Sequence, residues 1–274
     1  SEMCIRDRVN AVSGLGIFFS EENRSLVSGF LPKVLRFSHQ RKNIATIFQN
    51  KEDKGLFLKN GIVKEEQTFM IKGSGVDLNQ YCYTPESSDG KVKILLTARM
   101  IVEKGVFVLT EAALKLKEQY VDKVEFLLCG GLDDNPKAIK EEELKAVCDG
   151  EYIQWLGYRT DVLELLKSCN IVAFPSFYKE GLPKSLIEAA AVGRPIVTTN
   201  SIGCKEAVVD GYNGFLIPVK DSDALAEKLK ILFEDDCLRQ TMGRNSRILA
   251  EKNFSIENVI QKHLEIYLSL IHIS

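Results

Sequence analysis

From Val92 onward, short runs of β-branched and aliphatic residues alternate with stretches whose apolar positions recur at helical spacing. The runs predict strands at Val92–Ala98, Val124–Cys129, Tyr152–Leu156, Ile171–Phe174, Pro195–Thr198 and Phe215–Ile217. The stretches between them predict helices at Gly105–Gln119, Pro136–Val147, Asp161–Lys167, Pro183–Val192 and Ala224–Glu234. Such alternation implies parallel strands joined by helical crossovers. Near-continuous apolar strands such as Ile94-Leu95-Leu96 imply a sheet covered on both faces. The expected unit is α/β, doubly wound and Rossmann-like. Ahead of it, residues 9–85 predict strands at Gly14–Phe19, Asn43–Phe48 and Thr68–Ile71, with helices at Asn23–Phe37 and Lys51–Asn60. These resemble the rear part of a second Rossmann-like domain. Gly73–Asp77 and the polar stretch Thr84–Gly90 suit a linker, and a last helix is expected from Asn253 to Tyr267.

Composition changes this picture little. The chain has 274 residues, 45% apolar and 27% charged, with a formal net charge of −2. That balance excludes fibrous and wholly disordered classes and carries no footprint of nucleic-acid binding. Seven scattered cysteines with no Cys-x-x-Cys pair suit reduced thiols of a cytosolic protein rather than a zinc site. No apolar run is long enough to span a bilayer. The ends change the picture more. Leu268–Ser274 back-translates to a DNA string whose reverse complement encodes Glu2–Arg8. One tag read in opposite orientations accounts for both ends, so residues 1–8 and 268–274 are expected to be scars and interpretation rests on 9–267. The first domain is then expected to be cut, leaving 9–85 as its remainder, 86–253 as a complete Rossmann-like domain, and 254–267 as a helix packing back toward the first domain.

Ligands of open parallel sheets bind beyond the carboxyl ends of the strands, and three groups fall there. Arg99 and Lys104 follow the strand ending at Ala98 and flank a helix start near Gly105; two cations beside a helix N-terminus can neutralise a diphosphate without a metal. Glu180, in the loop after Phe174, is followed by Gly181 and Leu182, whose amides precede a helix opened by Pro183. Glu188 lies two turns further, in an otherwise apolar, Ala-rich helix where a carboxylate needs a hydrogen-bonding partner such as paired sugar hydroxyls. Tyr158 and Arg159 end a third strand, where a flat base could lie. Each group also has a plainer alternative: solvated loop cations, a capping or exposed glutamate, a surface tyrosine.

Taken together, these residues resemble glycosyltransferase family 4, retaining enzymes of the two-domain GT-B fold. The resemblance rests on Glu180-x7-Glu188 within Glu-Gly-Leu-Pro…Glu-Ala…Gly-Arg-Pro, preceded by Arg99…Glu103-Lys104-Gly105 and Leu156-Gly157 and followed by Gly211-Tyr212-Asn213-Gly214-Phe215. Gly73-Ser74-Gly75-Val76-Asp77 and Gly203-Cys204-Lys205-Glu206 are similar to members that extend lipid-linked glycans in bacteria. The resemblance implies that Arg99 and Lys104 bind the donor diphosphate and that Glu180 contacts the transferred sugar. It places Gly181 and Leu182 backbone close by, Glu188 on the ribose, and Tyr158 and Arg159 at the base. It implies a nucleotide-sugar donor, a UDP-sugar, a polyprenyl-diphosphate-linked saccharide acceptor, no metal or other cofactor, and work at the inner face of the cytoplasmic membrane. The family's glycine-rich loop and histidine near the sugar are expected upstream of Val9. Two alternatives are a non-hydrolysing UDP-sugar 2-epimerase and an inactive nucleotide-sugar-binding fragment.

Other signals point to structure. Asp221-Ser222-Asp223 directly precedes a predicted helix and suits capping rather than a metal. Asp133-Asp134 suits a turn. His39 is expected at the surface, and His263 as a structural residue. Residues 21–59 carry eight Lys/Arg against four Asp/Glu, a net +4 that suits either a solvated face or contact with an anionic membrane.

Overall fold

A computed structural model describes residues 8–13, 31–39, 44–87, 90–134, 138–178 and 180–271. They form two α/β units. In the first, three parallel strands lie in the order β1-β2-β3: β1 (Arg8–Val12), β2 (Ile44–Phe48) and β3 (Thr68–Met70). Helix α1 (Leu31–His39) precedes β2, and α2 (Lys51–Lys59) follows it. Asn50 caps α2, its side chain accepting from the Asp53 amide at 2.7 Å.

The second unit is a six-stranded parallel sheet in the order β6-β5-β4-β7-β8-β9. Its strands are β4 (Val92–Thr97), β5 (Val124–Cys129), β6 (Ile153–Trp155), β7 (Ile171–Phe174), β8 (Ile196–Thr199) and β9 (Gly214–Ile217). The helices are α3 (Val106–Tyr120), α4 (Glu141–Val147), α5 (Val162–Ser168), α6 (Lys184–Val192), α7 (Ser222–Glu234), α8 (Asp236–Asn253) and α9 (Ile256–Ile271). Three strands are laid outward from β4, then the chain crosses back to β7 and proceeds the other way. The order therefore reverses between β4 and β7, where a crevice opens at the carboxyl ends.

The sheet divides the core, as its apolar strands imply. Ile94 and Leu96 of β4 face a cluster with Val106, Leu109, Leu225 and Leu229; Leu95 faces the other, with Val172, Leu186 and Ala190. Alternate residues thus serve opposite faces, each covered by helices. The two units are joined twice at one place. Val76 donates its amide to the Phe254 carbonyl (2.8 Å) and accepts from the Ile256 amide (3.0 Å). Helix α9 then returns to the first unit, where Val259, Ile266 and Leu270 pack with Ala45, Ile47 and Ile71.

The strands and helices predicted from Val92 to Glu234 are present within one or two residues, except that α4 starts at Glu141 rather than Pro136. Ala138 bridges Ile101, and the Ile139 amide bonds Met100 (2.9 Å), which holds that stretch extended. In the first unit, β1 at Arg8–Val12 was missed, with Arg8 inside the presumed scar; the predicted strand Gly14–Phe19 lies outside the described residues. Helix α8 was also missed. Its buried face is Arg239, Met242, Gly243, Ser246 and Ala250: helical spacing without an apolar stripe. His39 is buried, not at the surface. Its ring packs edge-on against Phe57 (5.7 Å), and Nδ1 lies 2.8 Å from the Leu35 carbonyl. His263 Nδ1 similarly meets the Val259 carbonyl of its own helix (2.8 Å).

Candidate functional site

The carboxyl ends of β4 and β7 are tied together by backbone and hydroxyl bonds. After β4 the chain makes a tight 3₁₀ turn, Val102–Lys104. The Glu103 carbonyl in that turn accepts from the Phe177 amide (2.9 Å) and the buried Ser176 hydroxyl (3.1 Å). Gly105 then starts α3 with φ 80°, and a Cβ there would overlap the Pro175 carbonyl. Only glycine permits this close crossing of the two loops at the point where strand order reverses.

Lys104 projects from that turn into a nearly closed setting. It is only 8% exposed, with its ammonium 5.3 Å from the ring centroids of both Phe174 and Tyr178. It donates to Glu180 Oε1. A cation and a carboxylate 76 positions apart in the chain therefore meet at the switch point. The two nearby aromatic rings and the partial burial strengthen the ion pair over one in water.

The remaining predicted residues surround this pair. Arg99 stays in the loop after β4, 60% exposed, and bonds Asp133 Oδ2 at 2.7 Å. That gives Asp133, predicted only as a turn residue, a role in holding the arginine. Glu188 is buried on α6 and accepts the Tyr81 hydroxyl at 3.0 Å, with the Lys184 ammonium 3.6 Å away. Leu182 packs its side chain beneath Gly73, whose Cβ position lies 3.1 Å from Leu182 Cδ2. Gly181 is crossed closely by the first unit: a Cβ there would overlap the Ser13 carbonyl and Gln49 Oε1.

The loops after β4, β5 and β6 form the other wall. Ala98 and Met100 amides bond the Cys129 and Gly131 carbonyls (3.0 Å each), and Gly130 bonds the Gly157 carbonyl (2.9 Å). Trp155 Nε1 donates to the Gly130 carbonyl at 2.9 Å. Tyr158 stands 77% exposed on this wall, its Cβ 3.5 Å from the Cβ position of Gly131. Arg159 is held by both oxygens of Asp161, at 2.7 and 2.5 Å; that bond and the carboxylate's charge hold the guanidinium above its ordinary pKa.

Of the predicted residues, Lys104 and Glu180 touch, Gly181 and Leu182 adjoin them, and Glu188 lies within the same helix-and-loop segment. Arg99, Tyr158 and Arg159 occupy the facing loops, each of the two arginines engaged by an aspartate. Tyr81 was missed, because it belongs to the linker and meets Glu188 across 107 positions. Asp221 caps α7, accepting from the Ala224 amide (2.8 Å), and Asp223 pairs with Lys115 (2.5 Å); the capping expectation holds.

Two α/β units of parallel strands, meeting at the carboxyl end of the larger sheet over a buried cation and a partly exposed carboxylate, constitute the architecture of GT-B glycosyltransferases. Residues 84–248 match the family model for glycosyl transferases group 1, and the chain belongs to that family. It is 33% identical over 279 residues to the N,N'-diacetylbacillosaminyl-diphospho-undecaprenol alpha-1,3-N-acetylgalactosaminyltransferase of Campylobacter jejuni, covering 95% of this chain and 70% of that one. It is 30% identical to the capsular polysaccharide biosynthesis glycosyltransferase CapM of Staphylococcus aureus, over 61% of this chain and 43% of CapM. It is 25% identical to the UDP-Gal:alpha-D-GlcNAc-diphosphoundecaprenol alpha-1,3-galactosyltransferase of Escherichia coli, over 80% of this chain and 59% of that enzyme. Among solved structures, HepE of Anabaena in complex with UDP superposes with a TM-score of 0.79 at 23% identity, covering 96% of this chain and 72% of that one. These relatives are transferases; the epimerase alternative draws no support from them.

Proposed function

We propose that the protein transfers a sugar from a UDP-sugar to a polyprenyl-diphosphate-linked saccharide, with retention of configuration. The observation that carries this reading is the contact of Lys104 with Glu180 at the switch point. The carboxylate balances the charge of the ammonium; a donor diphosphate would share it, leaving Glu180 to accept from sugar hydroxyls. Arg99 supplies the second cation, and the start of α6 adds the positive end of its dipole. Glu188, already accepting from a hydroxyl, is the ribose partner, and Tyr158 and Arg159 border the base. The names of the Campylobacter and Escherichia relatives, with their diphospho-undecaprenol acceptors, support the acceptor class.

In this mechanism the acceptor hydroxyl oxygen bonds the anomeric carbon on the face from which the diphosphate departs. Its proton passes to the leaving phosphate oxygen. The negative charge that develops there is met by Lys104, Arg99 and backbone amides, so no protein nucleophile and no metal are needed. Work at the cytoplasmic membrane face follows from the acceptor. Among the described residues no helix is long and apolar enough to cross a membrane. Contact with an anionic membrane surface is supported by α1, where Phe37 (79% exposed) and Val34 lie beside Lys33 and Arg36.

Calorimetry on the full chain tests the donor site. UDP is expected to bind at least tenfold more tightly than GDP or ADP, with no change on adding a chelator. Glu188→Ala should weaken UDP itself by about tenfold, the loss of one charge-assisted hydrogen-bonding group. Glu180→Ala should spare UDP and weaken the UDP-sugar. Absence of binding by all three nucleotides defeats the donor-site assignment.

A further inference from the structure

Among the described residues, two ion pairs cross between the units, and they run in opposite senses. Lys205 of the second unit donates to Glu52 of the first. Lys72 of the first unit pairs with Glu206 of the second at 3.0 Å. Residues 205 and 206 are neighbours in the short 3₁₀ turn Cys204–Ala207 that follows β8. Glu52 is in the first turn of α2, where the helix dipole favours its charge, and Lys72 directly follows the buried Ile71 beyond β3. Each unit thus offers one cation and one anion. A sliding or opening motion cannot exchange one pair for the other without bringing like charges together.

That turn leads directly to the sugar loop. Gly203, just before it, has φ 89°, and a Cβ there would overlap the carbonyls of both Glu180 and Gly181. On its other side Gly181 is crossed by Ser13 and Gln49 of the first unit. The backbone carrying Glu180 is therefore clamped between the 204–207 turn and the first unit, and the crossed pairs are what join those two jaws. Burial alone would raise the Glu52 carboxyl, but the hydrogen bond from Lys205 and the lysine charges bring it below its ordinary value.

We propose that Glu52 and Lys205, seconded by Lys72 and Glu206, are positioning residues for donor-sugar recognition: they hold the units closed on the Glu180–Gly181 loop and so set the geometry in which Glu180 meets Lys104. The sugar part rests on the donor reading above. The clamp itself does not, and it has a reporter within the chain. Cys204 is a free thiol, completely buried, in the same turn; Cys169 is an equally buried thiol elsewhere in the second unit.

The test is alkylation of the full chain with iodoacetamide, each thiol followed by mass spectrometry, together with calorimetry using UDP and UDP-N-acetylgalactosamine. Glu52→Gln and Lys205→Gln are each expected to speed Cys204 labelling about fivefold with Cys169 unchanged. The exchange of charges in Glu52→Lys with Lys205→Glu should slow it again. UDP affinity should stay within twofold while UDP-N-acetylgalactosamine weakens about fivefold. An unchanged Cys204 rate in both single variants overturns the clamp, and equal losses for UDP and the UDP-sugar overturn the positioning role. If the unsubstituted chain binds neither nucleotide, the donor reading fails while the thiol rates still decide the clamp.

Discussion

Glu188 shows how a single side chain can be found in the sequence while its setting is not. A carboxylate among Leu186, Ile187, Ala189, Ala190 and Ala191 demands a hydrogen-bond donor, and the structure supplies Tyr81. Burial first, and then the charge and hydrogen bond of Glu188, push the Tyr81 phenol up from 10.0 to about 12. It is therefore a donor throughout the physiological range. Its folded value lies above the unfolded one, so its contribution to stability is complete below pH 10 and is lost as pH rises through about 12. Tyr81→Phe should flatten that part of the melting-temperature profile. It should also weaken UDP about fivefold, since one hydrogen bond worth about 1 kcal/mol no longer orients Glu188; an unaltered alkaline profile would remove Tyr81 from this role. Lys104 and Glu180 were both legible as candidates because they follow strands with loop-like composition. Their direct contact was not, because nothing local relates positions 104 and 180.

Among the elements, α6 and its exit illustrate what motif residues do besides bind ligands. Gly193 ends the helix with φ 87°, and Arg194 follows, almost wholly buried. Its guanidinium donates to the Leu166 carbonyl (2.8 Å) and to the Thr84 and Lys167 carbonyls (2.9 Å each). The end of α5, the end of α6 and the linker are thereby fastened by one side chain. Arg194→Ala should cost about 3 kcal/mol in denaturant unfolding, from the loss of three charge-assisted hydrogen bonds to carbonyls and a cavity in place of a buried side chain. Arg194→Lys should recover little, since a single ammonium cannot span three acceptors in a fixed fork. From β4 to α7, elements whose buried face is apolar were read within a residue or two, the start of α4 excepted. Helix α8 escaped because arginine, glycine and serine share its inward face with Met242 and Ala250, and the burial of the polar ones makes sense only once Glu86 is known to pair with Arg239 (2.7 Å) and Asn213 with Ser246 (3.3 Å).

At the scale of the molecule the two units differ in how much core they own. Among the described residues, the six-stranded sheet is buried on both faces by two large clusters, whereas the three-stranded sheet has two small ones, one completed by α9. Native-state hydrogen exchange should therefore show β4, β5 and β7 opening only with global unfolding. The amides of β2 should open at a free energy lower by several kcal/mol, because fewer buried contacts must be broken. Equal protection of β2 and β4 would contradict that hierarchy. The chain spans 70% of the Campylobacter relative and, over the matched part, 43% of CapM.

The alternation of apolar runs and amphipathic stretches settled the doubly wound sheet by itself, because burial on both faces leaves a periodic mark on each strand and helix. Residue chemistry likewise singled out Arg99, Lys104 and Glu180 after strand ends and Glu188 within an apolar helix, since charge at those positions serves no packing purpose. Tertiary structure alone decided which of them touch, that Tyr81 and Asp133 hold two of them, and that Glu52, Lys72, Lys205 and Glu206 close one unit on the other. Contacts across a hundred positions are set by how helices and sheets pack, and a polar side chain carries no local signal of the partner that packing will bring to it.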